Sequence, residues 1–536
     1  MPRSRSLILG LAVLAALGAV TAPAAQSDPA PGADVGVVGR PFQGTRPDGT
    51  VSGFLDAHNH VMADVAFGGN LICGDVHHPD GPAAALTDCH DHHPHGELAW
   101  FENFTRHRSP IGTHDPVGYP TFADWPAHDS LTHQAAYYKW IERAWRGGLR
   151  LMVNHLVANR QLCEIYPLKS QPCGEMDSIR LQARMMNDLV AFVDRENGGP
   201  GRGWLRIVRS EAEARQVIEG GRLAVLLGVE TSEPFGCRQV LGVPLCTRAS
   251  IDRGLDEMHA LGVRSMFVCH KYDNALCGVR FDSDTQGVIV NAGNFLGTGR
   301  FWQARTCTGE LSDNTATPAG VIPDPIAPLI PPLPVYPPAP HCNIHGLTAL
   351  GEHMVRGMMA RGMVIELDHM SVKAATRTLD ILEQADYPGV VSSHSWSDPK
   401  LFPRIYALGG MVSQYGHGAT QFTEEWRRSE PIRDQQGVSG YGFGIDANGI
   451  GGLPGPRGGG DPVTYPFTSA DGSVTVQKYT MAQRTWDMNT DGMAHYGLMP
   501  DWIEDIRKVG GDEIVDDLLG GAEAYLRTWG AAEAHT

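Results

Sequence analysis

The sequence predicts an α/β protein: a (β/α)8, TIM-like barrel with long insertions at the C-terminal face of its strands. Three observations lead there. Eight short apolar runs recur, at residues 54–60, 149–155, 224–230, 264–270, 363–369, 389–394, 409–414 and 440–446. Their near-continuous apolarity suits strands buried on both faces of a parallel sheet. Helical segments separate several of them, at 133–146, 179–195, 251–261, 347–361 and 372–384, and such alternation builds parallel sheets. Finally, most runs end in His, Asp or Glu, and in a barrel those ends share one rim. An open, doubly wound sheet is the competing arrangement.

The elements follow from the N-terminus. Residues 1–25 start with Arg3 and Arg5, run through apolar residues from Leu7 to Val20, and reach Ala22-Pro23-Ala24. A basic start, an apolar run too short to span a bilayer comfortably and a small-residue site read as a cleaved secretory signal peptide. Residues 26–50, rich in Pro, Gly, Ala and Asp, read as a flexible lead-in, and 51–530 as the barrel. About 250 residues suffice for such a barrel, so a chain of 536 residues carries large insertions. They fall at about 62–132, 271–345 and 447–495, each after the carboxyl end of a strand. The second holds ten prolines between Pro318 and Pro340. That run is stiff and unsuited to helix or sheet, and fits a rigid lid or an oligomer contact. The third opens with ANGIGGLPGPRGGGD, whose backbone could approach a ligand.

Composition narrows the function classes. Hydrophobic residues make up 42% and charged residues 19%, which argues against wholesale disorder. Acidic residues number 60 against 43 basic ones, for a net charge of -17. Such a surface repels phosphate backbones, so no nucleic-acid partner is expected. No second apolar stretch reaches the roughly 18 residues of a membrane span, so no transmembrane segment is expected after signal cleavage. The ten cysteines include no C-x-x-C pair. Cys73 and Cys89, Cys163 and Cys173, Cys237 and Cys246, and Cys307 and Cys342 would make natural local disulfides in an oxidising compartment. Cys269 and Cys277 remain, and Cys269 reads equally as a buried free thiol. Spacing alone does not fix the connectivity. The expected location is secreted, periplasmic or otherwise extracytoplasmic.

The strand ends carry the chemistry. His58 and His60 are two apart, so on a strand they face one side. Glu230 closes the third run, His369 the fifth, His394 the sixth and Asp446 the eighth. Six metal-competent side chains therefore converge on one rim. Imidazole and carboxylate suit zinc, and a bridging carboxylate can hold two cations. Two metals about 3.5–4 Å apart can activate a water and polarise a carbonyl or phosphoryl oxygen. His155, at the end of the second run, either lines the pocket or is a satisfied rim residue. His77, His78, His90, His92, His93 and His95 crowd the first insertion, among Asp88, Cys89 and Asp91. They read as an accessory metal site or, more plainly, as a solvated polar loop. A Cys–His site there would compete with a Cys73–Cys89 disulfide. H-E-x-x-H and G-x-S-x-G are absent, which counts against a zincin or an α/β-hydrolase, and no G-x-x-x-x-G-K-[ST] phosphate loop exists.

The order of DAHNH, GVE, MFVCH, MVIELDHMS, VVSSHS and GIDANGI resembles the membrane (renal-type) dipeptidases of the amidohydrolase superfamily. HGLTALGEHMVRGMMARGMVIELDHMS is the closest stretch, and GLMPDWIEDIRKVGGDEIVDDLLGGAEAYLRTW is similar to that family's closing helices. The resemblance covers roughly residues 51–60 and 215–530, with the long insertions unmatched. It implies that His58, His60, Glu230 and Asp446 bind one zinc ion, and that Glu230 bridges to a second held by His369 and His394. It also implies that Asp446 handles the proton of the nucleophilic water and that His270 stabilises the tetrahedral intermediate. Arg404, or alternatively Lys400, would meet a substrate carboxylate, for which the planar guanidinium fork is suited. One departure stands out. The family's first strand usually reads His-x-Asp, whereas this chain has His58-x-His60.

The expectation is an exported enzyme, a binuclear zinc hydrolase cleaving the amide bond of dipeptides or similar small amides by a metal-activated water. Other divalent metals would also suit the ligands. Two alternatives are a lactonase or phosphoesterase of the same superfamily, and a non-catalytic exported metal-containing binding protein. The sequence leaves homo-oligomerisation open.

Overall fold

The computed structural model describes residues 31–87, 89, 92, 95–107, 109, 112–317 and 334–536. The signal segment, Asp88, His90, Asp91, His93 and most of the Pro-rich run lie outside the described residues.

Eight parallel strands close into a barrel. They are β1 (Phe54–Asn59), β2 (Leu149–Ala158), β3 (Leu223–Thr231), β4 (Val263–Phe267), β5 (Val364–Glu366), β6 (Val390–Ser392), β7 (Met411–Tyr415) and β8 (Gly442–Gly444). Each pairs with the next, and β8 returns to β1 with Phe443 opposite Asp56. That closure excludes the open doubly wound sheet. One further short strand, Leu205–Val208, pairs with the first half of β3, while β4 pairs with its second half. The helices expected between strands are present, including Tyr138–Arg146, Glu175–Glu196, Arg248–Leu261, Ala349–Met359 and Val372–Ala385. Local chemistry sets their starts. Thr247 and Ser250 form a reciprocal capping box, and Ser371 accepts from the Ala374 N–H, satisfying donors a helix start otherwise leaves unpaired.

The barrel interior is layered. Leu55, Leu151, Val153, Ala224, Leu226, Val364, Val391 and Met411 form one apolar layer with Tyr525, Leu526 and Trp529 of the C-terminal helix Gly521–Ala534. Along β3 the same face continues from Ala224 and Leu226 to Gly228 and Glu230, as period-2 alternation requires. The interior thus turns from apolar to ionisable toward the carboxyl ends. The β1–β2 ladder is irregular between Asp56 and Asn59, and there both strands begin to deliver histidines.

The three insertions carry structure of their own. The first holds the helix Trp100–His107, the second a hairpin of Ala304–Thr306 with His341–Asn343, and the third short antiparallel pairs. Residues 31–50 are not the flexible lead-in their composition suggests. Val37–Gly39 pairs antiparallel with Val474–Val476 of the third insertion, Val35 and Val37 are fully buried, and the Phe42 carbonyl accepts from the Arg150 guanidinium. Two buried valines outweigh the local Pro and Gly content. Five disulfides join Cys73–Cys89, Cys163–Cys173, Cys237–Cys246, Cys269–Cys277 and Cys307–Cys342. The four local pairs expected are thus present, and Cys269 is bonded to Cys277 rather than free. No helix among the described residues is long and apolar enough to cross a membrane.

Candidate metal centre

Glu230 organises the carboxyl rim of the barrel. It stands near the end of β3, 2% exposed, and its two oxygens face different sets of imidazoles. Oε2 lies 3.3 Å from His60 Nε2 and 3.7 Å from His58 Nε2. Oε1 lies 3.3 Å from His369 Nε2 and 3.5 Å from His270 Nε2.

The first set is completed by Asp446, whose Oδ1 is 3.1 Å from His60 Nε2 and 3.6 Å from His58 Nε2. The two imidazole nitrogens are themselves 3.1 Å apart. A tetrahedral ion with bonds of about 2.0–2.1 Å would set its ligands roughly 3.3 Å apart. The distances from His58 and His60 to each other and to the two carboxylates lie close to that spacing, and His58, His60 and Asp446 form a group able to hold a metal ion. In the second set His369 Nε2 lies 3.0 Å from His394 Nε2, beside Glu230 Oε1. The sets adjoin, because the His58 and His394 rings stack with centroids 4.1 Å apart.

Backbone and outer contacts aim these donors. The His60 Nδ1–H donates to the His155 carbonyl at 2.8 Å, which leaves Nε2 as the donor atom toward the cluster. His58 Nδ1 bonds Ser393 Oγ at 3.0 Å. His394 Nδ1 lies 2.9 Å from Asp368 Oδ2, and Asp368 also accepts from Ser392 Oγ, Ser397 Oγ and the His394 N–H. Such outer carboxylates orient metal-bound imidazoles. His369 and Asp446 both have left-handed backbones, with φ of 64° and 56°. Non-glycine residues in this region cost roughly 1–3 kcal/mol and cluster at functional sites. Gly449 leaves the room this needs, since a Cβ there would meet Asp446 Oδ1 at 1.8 Å.

The electrostatics follow from crowding. Burial would raise the Glu230 carboxyl, but His270, His58 and His369 outweigh it and hold it well below the usual carboxylate range. Burial would lower His60, yet Asp446 and Glu230 overcome that and push it up to about 10. His58 is driven down to about 4 by burial and by His394. His270 falls to about 3, chiefly by burial, so it stands as a neutral imidazole with an N–H to donate.

Seven of the expected residues come together: His58, His60, Glu230, His270, His369, His394 and Asp446. Two do not join as expected. His155 is fully buried beneath the cluster, its ring stacked on His58 and its Nε2 3.1 Å from Glu366 Oε1, so it does not line a pocket. The absent side chain of Gly228 makes this possible, since a Cβ there would sit 2.3 Å from the His155 ring. Arg404 points to the outer helix, where its guanidinium bonds Asp380 and Glu383. Lys400 Nζ donates to the Glu310 carbonyl. Three residues near the cluster were not foreseen. Asp368 precedes His369 in sequence, and that adjacency was the available signal. Lys271 follows His270. Its Nζ bonds Asp282 at 3.0 Å and sits 5.4 Å from the Trp396 ring centroid, and that ring lies 5.8 Å from His369.

No protein-family profile matches this chain, and no curated protein sequence does. Solved structures do. An amidohydrolase from Pseudomonas aeruginosa shares 15% identity over 74% of this chain and 93% of its own, with a TM-score of 0.41. A dipeptidase described as a metallopeptidase of family M19 shares 15% identity over 73% and 89%, with a TM-score of 0.40. A metallopeptidase from Rhodobacter sphaeroides, bound to a phosphinate mimic of the dipeptide L-Ala-D-Ala, shares 13% over 75% and 88%, with a TM-score of 0.36.

Proposed function

We propose that this chain is an exported, metal-dependent hydrolase that cleaves the amide bond of dipeptides or similar small amides. One observation carries the reading: the two oxygens of the buried Glu230 face two separate histidine sets. A structural ion needs one closed shell of four ligands, whereas this arrangement provides for two ions sharing a carboxylate. His58, His60, Glu230 and Asp446 would hold one, and Glu230, His369 and His394 the other. Zinc suits these ligands, and a bound pair would activate a water and polarise the scissile carbonyl. The printed descriptions of the dipeptidase neighbours agree with this activity, and the five disulfides support export.

The chain's own residues then divide the work. Asp446 Oδ1 faces His58 and His60, which leaves Oδ2 to take the proton from the attacking water. The water oxygen bonds to the amide carbon, and the same carboxyl returns its proton to the departing amine nitrogen as the C–N bond breaks. The neutral His270 donates an N–H to the oxyanion, a contact typically worth about 100-fold or more in rate. With Arg404 tied to the outer helix, Lys271 is the cation that would meet a substrate carboxylate.

A second reading, hydrolysis of lactones or phosphoesters, is favoured by that same displacement of Arg404, since such substrates need no carboxylate anchor. A panel of dipeptides, including D-residues at the C-terminal position, alongside lactones and phosphoesters, separates the two. Zinc-dependent dipeptide cleavage, abolished by chelation, is expected. Asp446→Asn should lower kcat at least about 100-fold with metal retained, and Lys271→Ala should raise KM far more than it lowers kcat. Near-normal turnover in a metal-replete Asp446→Asn protein would overturn its role. A metal-loaded protein active only on lactones would overturn the peptide assignment.

A further inference from the structure

A second group of donors lies in and beside the first insertion, apart from Glu230 and its partners. His114 and His133 face each other with their Nε2 atoms 3.3 Å apart. Glu102 stands behind them, with Oε2 2.7 Å from His133 Nδ1 and Oε1 4.0 Å from His114 Nδ1. Arg106 steadies the same carboxylate, its Nη1 2.8 Å from Oε1. His92 is fully buried, and its donor nitrogen lies within 4.8 Å of that of His133. The Leu71 carbonyl lies near the His92 ring, yet neither ring nitrogen makes a hydrogen bond of good geometry. We propose that His114 and His133, with His92 as third ligand, bind a divalent transition-metal ion of the zinc class, and that Glu102 orients the first two imidazoles.

Geometry supports the proposal. His114 Nδ1 is buried without a hydrogen-bond partner, and an unsatisfied buried polar atom costs roughly 1–3 kcal/mol. A cation between the two facing Nε2 atoms would take one lone pair from each ring and leave both Nδ1 atoms as donors. The His133 Nδ1–H then donates to Glu102 Oε2 at 2.7 Å, the carboxylate–histidine–metal pattern, while His114 Nδ1 faces Oε1 at 4.0 Å. The 3.3 Å separation matches the edge of a tetrahedral site with bonds of about 2.0–2.1 Å. Two nitrogens on one such ion lie at most about 4.2 Å apart, so His92, whose nitrogen lies within 4.8 Å of that of His133, would have to turn toward the His114–His133 pair to join it. Cys89 is close to His92 but is bonded to Cys73, so it is not a ligand.

The site is placed to brace the rim. The Trp125 ring stacks on His133 with centroids 4.8 Å apart. One residue further on, the Gln134 side chain accepts from Asn448 Nδ2 at 2.8 Å, the Ala135 N–H donates to Asn448 Oδ1 at 2.9 Å, and Asn448 also reaches the His60 carbonyl. An ion at His133 would therefore pin the first insertion to the loop carrying Asp446.

The test counts metal on the purified full chain. The protein is stripped by chelation, reloaded with zinc alone and freed of unbound ion by gel filtration. His114→Gln should carry one zinc equivalent fewer than the unsubstituted protein and melt at a lower temperature. The barrel centre contributes equally to both proteins, so its occupancy cancels. Equal zinc counts would overturn the proposal. Should His114→Gln not fold, Glu102→Gln serves in its place, with zinc competed by a chromophoric chelator. One equivalent held about 10–100-fold more weakly is expected, and an unchanged titration curve would overturn it.

Discussion

His60 governs the pH behaviour of the barrel centre. Its ring is buried between Glu230 and Asp446, and these carboxylates hold its proton up to about 10. A metal ligand must be neutral at the donating nitrogen. At pH 7–8 the metal-free protein therefore carries a proton on His60 Nε2 that an entering ion must displace. The sign follows: raising the pH toward 10 strengthens metal binding, by about tenfold per unit from this group alone. Calorimetric zinc titrations in buffers of different ionisation enthalpy should show at least one proton released per protein at neutral pH, with the ion that His60 binds. Zero release would mean that His60 is already neutral and that the pair of carboxylates does not hold it charged. At this scale the sequence was legible where a residue closes an apolar run, because period-2 alternation fixes which side chains meet at the rim. It was not legible for Arg404, since the distance along the chain from His394 does not say which way a helix turns its side chains. Asp368 was hidden for a related reason: a carboxylate beside a ligand histidine looks the same in sequence whether it binds metal or orients a ring.

Among the elements, all eight strands were foreseen; five were drawn too long on the ligand side, whereas β2, β3 and β7 run on past the expected end. The run 363–369 yields only Val364–Glu366 as strand, because the backbone leaves the ladder to aim His369, which adopts φ 64°. The run 440–446 shortens to Gly442–Gly444 for the same reason at Asp446. Leu205–Val208 was missed because four residues give too little alternation to stand out. The insertions were legible as lengths without shape, and what holds them is buried polar pairing that no local pattern announces. Arg143, on the helix Tyr138–Arg146, and Asp501, on the helix Met499–Gly510, are both fully buried and bonded to each other. Arg143 also donates to the carbonyls of Gly497 and Gln477, while the Tyr465 hydroxyl donates to Asp501 Oδ1. Two helices and the third insertion thus meet at one ion pair. Arg143→Ala strands a buried carboxylate and should cost about 3–5 kcal/mol of stability. Asp501→Asn in the same background should recover part of that loss, because the uncompensated charge is gone. Denaturant unfolding measures both, and a loss below about 1 kcal/mol for Arg143→Ala would show that the pair is not what joins these elements.

The whole molecule combines a closed barrel with a rim that is held together by other means. Four of the five disulfides close loops with sequence separations of 8 to 16 residues, and the fifth spans 35 within the second insertion. They staple rim loops to themselves, and the β1–β8 hydrogen bonds close the barrel without them. The rim also concentrates buried charge, with Glu230 and Asp446 set among five histidines. Metal ions bound as proposed would neutralise that crowding and would bind only the folded chain, because strands far apart in sequence would supply the ligands. Each ion should therefore add about 4 kcal/mol of stability at free zinc 1,000 times its Kd. Thermal unfolding of the oxidised protein should rise in temperature with the logarithm of zinc concentration and fall on chelation. A chelated protein melting at the zinc-loaded temperature would mean that the histidines and carboxylates satisfy one another without an ion, and the hydrolase reading would lose its physical basis. A zinc-dependent shift that His114→Gln reduces but does not abolish would instead assign part of the stabilisation to the insertion and the rest to the barrel. In such a molecule the metals proposed for catalysis would also help to keep the rim folded.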